Sequence, residues 1–288
     1  MKVLGLFISV VLGMAVNADE IKIGGSSTVK PIIEKAAKLF KGKHPGVKII
    51  IGGGGSSKGV AGAADGIFDI GMASRELKDT EKAKHPDIKA YTIGRDGLAI
   101  VVNSQNTLTD ITLDQVKQAY TGQINNWKVI GGADAAIELV GKGLSHGTSD
   151  LFLKAAGLEA KVVGEGKARK IFYKDKAGEF TATSAMFTDE NKETLAKLII
   201  DRKGKRIAFM SIGTSEAIAA KGGRIKLLAL NSVAANKANV INGTYPIIRT
   251  LNVVTKGEPS GKAKEFIDFL FSTEGQKIIE GLKFVPVK

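Results

Sequence analysis

The sequence predicts an α/β protein built on a parallel sheet, and two observations carry that expectation. Three times early in the chain a short apolar stretch runs into a Gly/Ser turn and then into a helical pattern: "EIKIGGSSTVKPIIEKAAKLFKG", "VKIIIGGGGSSKGVAGAADG" and "FDIGMASRELKDTEKA". Each turn carries hydroxyls, at Ser27 and Thr28, at Ser56 and Ser57, and at Ser74 beside Arg75. Strands alternating with helices pair in parallel, so the carboxyl edge of the sheet collects helix N-termini.

The first element precedes that sheet. "MKVLGLFISVVLGMAVNADE" has one charge at Lys2, an apolar run from Val3 to Val16, and Val16-Asn17-Ala18 as a small-x-small cleavage site. It is expected to be a signal peptide over residues 1–18, with the mature chain starting near Asp19. The run is short for a membrane span, and no later run approaches it. In the first helix, Val29, Ile32, Ile33, Ala36, Leu39 and Phe40 recur at helical spacing. Ser27 or Thr28 sits where an N-cap belongs, and Pro31 suits the first turn.

The hydroxyl turns have a definite chemistry. A helix start exposes unpaired N–H groups and about half a positive charge, so adjacent Ser, Thr and Gly make a site for an oxyanion. One such turn is an ordinary cap. Three in succession point to a shared anion site. A nucleotide loop is excluded at "GGGGSSKG", where a P-loop needs Gly at Ser57 and Ser or Thr at Gly59. The dinucleotide pattern fails as well, for want of a third glycine in register.

Beyond the repeats, "RDGLAIVVNSQN" gives an apolar strand from Leu98 to Val102. A helix from about Leu113 leads to a Gly/Asn/Trp loop, followed by the strand "AIELVGKG". A basic stretch to Thr183 resists assignment. Then come a helix near 191–201, the strands "RIAFMSIG" and "YPIIRTLNVVTKG", and two helices broken at Ser272–Glu274. No Pro-, Ser- or charge-rich linker divides the chain. Two domains would therefore be interleaved, with strands near 98–103 and 248–256 crossing between them.

Formal charge is +13, or +12 without Lys2 (13 − 1), which favours anionic partners. The cations are scattered and there is one Trp, so nucleic acid is not expected. Without cysteine no disulfide or thiolate metal site can form, and no lipid anchor is expected at the cleavage site. "GLSHGTSD" fits the nucleophile-elbow pattern at Ser145, but no histidine follows His146, and a hydrolase of that class needs one downstream. His44 and His85 lie before prolines in exposed turns, and the three histidines share no metal-ligand spacing. No metal, cofactor or catalytic residue is expected.

"GGSSTVKPI", "GGGGSSKGV", "DIGMASRE", "RDGLAIVVN", "YTGQINNW", "HGTSDLF", "YPIIRTL" and "STEGQKII" stand in an order and at a spacing that resemble the periplasmic phosphate-binding proteins of ABC transporters. The resemblance covers nearly the whole mature chain. It implies the type II periplasmic-binding-protein fold: two α/β lobes, two crossing hinge strands and ligand in the cleft. Lobe I would be 19–97 with 251–288, and lobe II 98–250. It implies a periplasmic monomer that captures inorganic phosphate and delivers it to an ABC permease in the inner membrane.

Carried onto this sequence, the family's oxyanion contacts fall on Ser27, Thr28, Ser56, Ser57, Ser74, Gly147 and Thr148. Three positions depart from the family. Arg75 follows Ala-Ser where many members carry Asp, Lys142 stands for an Arg, and His146 for a Ser. Arg75 and Lys142 are expected to supply charge. The departures leave the anion open between phosphate and sulfate, molybdate or tungstate; a secreted phosphate-ester hydrolase is the alternative from another class. Hydrogen phosphate carries a proton, so preference for it needs a facing acceptor, for which Asp150, Asp96 and neutral His146 are the candidates.

Overall fold

The computed structural model describes residues 19–181 and 183–287, so the expected signal peptide lies outside the described residues. The chain runs β1 (Glu20–Gly25), α1 (Lys30–Lys43), β2 (Lys48–Gly54), α2 (Ser56–Ala64), β3 (Ile70–Ala73), α3 (Asp79–Lys84) and β4 (Ile88–Asn103). It continues through β5 (Asp110–Ile111), α4 (Leu113–Tyr120), β6 (Glu138–Lys142), α5 (Gly147–Ala156), β7 (Leu158–Val163), β8 (Lys170–Asp175), β9 (Ser184–Thr188) and α6 (Asn191–Ile199). It closes with β10 (Arg206–Ser211), α7 (Ile212–Ala219), β11 (Ile225–Leu227), β12 (Ala229–Leu230), α8 (Lys237–Ile241), β13 (Ile248–Lys256), α9 (Gly261–Phe271), α10 (Thr273–Gly281) and β14 (Val285–Pro286).

The three early repeats form the parallel core of the first lobe, with β1 central between β2 and β3. β13 runs antiparallel beside β3 and carries the sheet to β4. Ile32, Ile33, Ala36, Ala37 and Phe40 make the buried stripe of α1. With Ile21, Ile23, Ile70 and Met72 from the sheet and Phe266, Ile267 and Leu270 from α9, they form one continuous core. Phe40 meets Phe266 edge-on at 5.2 Å, which ties the C-terminal helices to the first.

A second core, from Leu98 to Ile247 with Val285, belongs to the other lobe. Its sheet continues from β4 through β10, β6, β9 and β8 to β7. Tyr120, Phe152, Tyr173 and Phe209 pack at its centre, with Phe152 stacked on Phe209 at 4.0 Å. Phe152 lies on α5 and is fully buried, so this cluster fixes the helix whose first turn faces the cleft.

The crossings differ in detail from the expected ones. β4 is a single strand of 16 residues, pairing with β13 over Ile88–Gly97 and with β10 over Leu98–Val102. It therefore belongs to both lobes. The return crossing falls earlier than expected, just before β13: Ile247 O accepts from Leu98 N–H at 2.9 Å, whereas Ile248–Lys256 pairs with β3 and the first part of β4. Tyr245 Oη donates to Leu98 O at 3.0 Å, fixing the two crossings side by side. Among the described residues no helix is long and apolar enough to cross a membrane.

Two expected helix starts are also revised. The N-cap of α1 is Val29, and the hydroxyl serving that turn is Ser26, whose Oγ accepts from Thr28 N–H at 3.2 Å and Val29 N–H at 3.3 Å. Ser74 and Arg75 open no helix. Glu81 accepts from Lys78 N–H at 2.8 Å and so caps α3 at Lys78, leaving Ser74 on the loop above the sheet.

Candidate anion site

Hydroxyls from separate segments converge on one guanidinium that the sequence reading had not selected. Arg249, on β13, donates from Nη1 to Thr148 Oγ1 at 2.9 Å and approaches Ser74 Oγ at 3.4 Å, while Nη2 approaches Thr28 Oγ1 at 3.4 Å. Ser56 completes the group: its Oγ accepts from Ser74 N–H at 3.0 Å and lies 3.4 Å from Ser74 Oγ. Thr28, Ser56, Ser74 and Thr148 are all buried.

Asp96 holds Arg249 in place. Its Oδ2 accepts from Nη2 at 2.7 Å and Nε at 3.0 Å, and its Oδ1 accepts from Gly213 N–H at 3.2 Å. Both side chains are 1 % exposed. Arg249 and Asp96 are register partners on β13 and β4, so the hinge strands themselves build the pair. A buried charge without a partner is costly, which explains why an Arg inside "YPIIRTL" requires an Asp inside "RDGLAI". That requirement was the available sequence signal.

Lobe II contributes the first turn of α5. Gly147 and Thr148 are its first two residues, and their N–H groups have no acceptor within the helix. A Cβ on Gly147 would lie 2.5 Å from Ser56 Oγ, and one on Gly55 would lie 2.5 Å from Ser145 O. Only glycine permits that approach at either position, and Gly55 additionally holds a φ of +91°. Ser57 N–H donates to Ser145 O at 3.0 Å, so backbone joins backbone across the cleft. The cleft is closed.

Other expected contacts are directed elsewhere. Every guanidinium N–H of Arg75 is engaged: Nε with Asp150 at 2.8 Å, Nη1 with Glu81 and Glu76 O, and Nη2 with Glu81 and Ser57 Oγ. Burial pulls its pKa down, but Glu81 and Asp150 outweigh this and leave it raised. Asp150 also accepts from Lys78 at 2.9 Å. His146 Nε2 lies 3.0 Å from Asp189 Oδ1, and its pKa is lowered by burial and by Lys142. All three candidate acceptors, Asp150, Asp96 and His146, thus already have partners. Ser27 reaches Asn191, whose Nδ2 donates to Ser27 O at 3.4 Å.

Lys142 is buried and donates to Asn191 Oδ1 at 2.8 Å. Burial lowers its pKa to about 8, with Arg249 adding to the effect and Glu190 opposing it. Asn191 therefore links Lys142 of lobe II to Ser27 of lobe I. Ser145, in the elbow motif, hydrogen-bonds no histidine among the described residues; His44 stacks on Phe40 and His146 faces Asp189.

Comparison with known proteins identifies the family. Residues 13–274 match the PBP superfamily domain. The phosphate-binding protein PstS of Bacillus subtilis is 30% identical over 271 residues, covering 94% of this chain and 81% of the relative. A Clostridium perfringens structure with bound phosphate, assigned as a phosphate ABC transporter substrate-binding protein, is 32% identical with a TM-score of 0.80, covering 94% of this chain and 100% of that one. An ABC-type phosphate transport receptor from Vibrio cholerae is 27% identical with a TM-score of 0.70, covering 92% and 99%. The chain belongs to the PBP superfamily and, within it, to the PstS family of phosphate-binding proteins.

Proposed function

We propose that this chain captures inorganic phosphate outside the cytoplasmic membrane and delivers it, as a monomer and without catalysis, to an ABC permease. The observation that carries this reading is the convergence of Thr28, Ser74 and Thr148 on Arg249, with Ser56 against Ser74, at the meeting of two lobes. Neutral hydroxyls and free helix N–H groups replace the water around an anion, and the single guanidinium supplies charge. Lys142 adds a second cation whose charge is on below about pH 8. With the return crossing just before β13, the lobes are taken as 19–97 with 248–288 and 98–247, in place of the expected break at 250, with closure by bending at the crossings.

The hydroxyls are oriented by their neighbours. Thr148 Oγ1 accepts from Arg249 and Ser56 Oγ accepts from Ser74 N–H, so both O–H groups are free to donate to a ligand. A donor-rich cradle whose nearby carboxylates are already paired also suits a fully deprotonated oxyanion such as sulfate, molybdate or tungstate, and this keeps the second reading in play. Equilibrium dialysis of phosphate-stripped protein tests the first: one phosphate retained per chain is expected, and no retention would overturn it.

A further inference from the structure

Asp150 stands in the first turn of α5, two residues after Thr148, and both of its oxygens are taken by cations of the other lobe. Oδ2 accepts from Arg75 Nε at 2.8 Å and Oδ1 from Lys78 Nζ at 2.9 Å. The Arg75 side chain is 7 % exposed and that of Asp150 22 %. Arg75 is already gripped by both oxygens of Glu81, at 2.7 and 2.8 Å, and by Ser57 and Glu76 within its own lobe.

We propose that Asp150, Arg75 and Lys78 form a latch that positions α5 over the anion site, strengthening binding of every oxyanion by the same factor and choosing among none. The anion arm of this proposal rests on the function proposed above.

The geometry fits a latch that opens reversibly. When the lobes part, Arg75 keeps Glu81 and is not left as a buried unpaired charge. Lys78 returns to water. Asp150 remains at a helix start, where a carboxylate is favoured by the backbone dipole. Only the contacts made across the cleft are lost. Thr148 shares a helical turn with Asp150, so the latch and the Arg249 contact engage in one movement. Apparent affinity scales with the fraction of molecules in the binding-competent state, and contacts made only on closure raise that fraction whichever anion is present.

Asp150→Asn, Lys78→Ala and Asp150→Glu, each checked for an unchanged thermal unfolding profile, test the latch in two ways. Small-angle scattering of the anion-free protein should show the Asn and Ala variants more open than the parent. Calorimetry should show phosphate and sulfate each weakened by the same factor, about five- to thirty-fold, with Asp150→Glu recovering most of the loss. If Asp150→Asn matches the parent in both measurements, the latch is refuted. If it narrows the gap between phosphate and sulfate, Asp150 is a ligand acceptor and the latch is again refuted. If the parent binds neither anion, the functional reading fails while scattering still decides the latch.

Discussion

Arg249 and Thr148 meet across the cleft at 2.9 Å, joining a hinge strand to the first turn of the helix opposite. In the proposed function the anion site is completed on closure, because Arg249 is held by Asp96 within the hinge while Thr148 lies on the other lobe.

Removing the guanidinium should therefore abolish binding. Arg249→Met is expected to weaken phosphate by more than about two decades, but it also leaves Asp96 buried and unpaired, at a cost to stability of about 3–5 kcal/mol. Arg249→Met combined with Asp96→Asn should recover much of that stability and none of the binding. Denaturant unfolding and calorimetry on both variants separate the two effects. Recovery of binding in the double variant would place the anion elsewhere.

The hydroxyls should act independently of the fold. Thr28→Val, Ser56→Ala and Thr148→Val each take one donor from a desolvated anion, at about 1.5–3 kcal/mol, or roughly one to two decades in Kd. Three variants that bind like the parent would rule out the cradle.

Lys142 predicts an alkaline limb. Its ammonium supports an anion while protonated, so affinity should fall as pH rises above about 8. The stability effect has the opposite sign. Its pKa is lower in the fold than in the unfolded chain, so the unfolded chain binds more protons above pH 8, and the anion-free fold gains stability from this group as pH rises from about 8 towards 10. Lys142→Met should flatten both trends, read by calorimetry and thermal unfolding across that range. A parent affinity constant from pH 7 to 10 would contradict the assignment.

Ser145 should be dispensable. His146 is turned to Asp189, so Ser145→Ala should bind anion within a few fold of the parent, and neither protein should cleave a chromogenic phosphate ester. Turnover lost in that variant alone would revive the elbow reading of "GLSHGTSD".

The parallel repeats and the tail helices were legible in the sequence, because apolar periodicity and Gly/Ser turns are local signals. The hydroxyl turns pointed to Thr28, Ser56 and Ser74 for the same reason, whereas Thr148 came from the family resemblance alone; the structure brings the four side by side. Arg249 was missed because a lone Arg in an apolar strand reads as an exposed position until its register partner, Asp96, is known. Arg75 was read as a ligand because sequence cannot show that Glu81, six residues on in α3, engages both terminal nitrogens of its guanidinium. The stretch before Thr183 stayed opaque for a related reason. β7 and β8 form an antiparallel hairpin that β9 joins to β6, so pairing rather than local pattern defines these strands, and the alternation in β7 is too short to declare one.

The most direct test is competition calorimetry of phosphate-stripped protein against phosphate, sulfate, molybdate and tungstate, with Arg249→Met alongside. The account predicts tight 1:1 binding of phosphate by the parent, weaker binding of the other anions, and loss of all of them in the variant. Sulfate bound as tightly as phosphate would contradict the phosphate assignment, and phosphate bound unchanged by Arg249→Met would contradict the site.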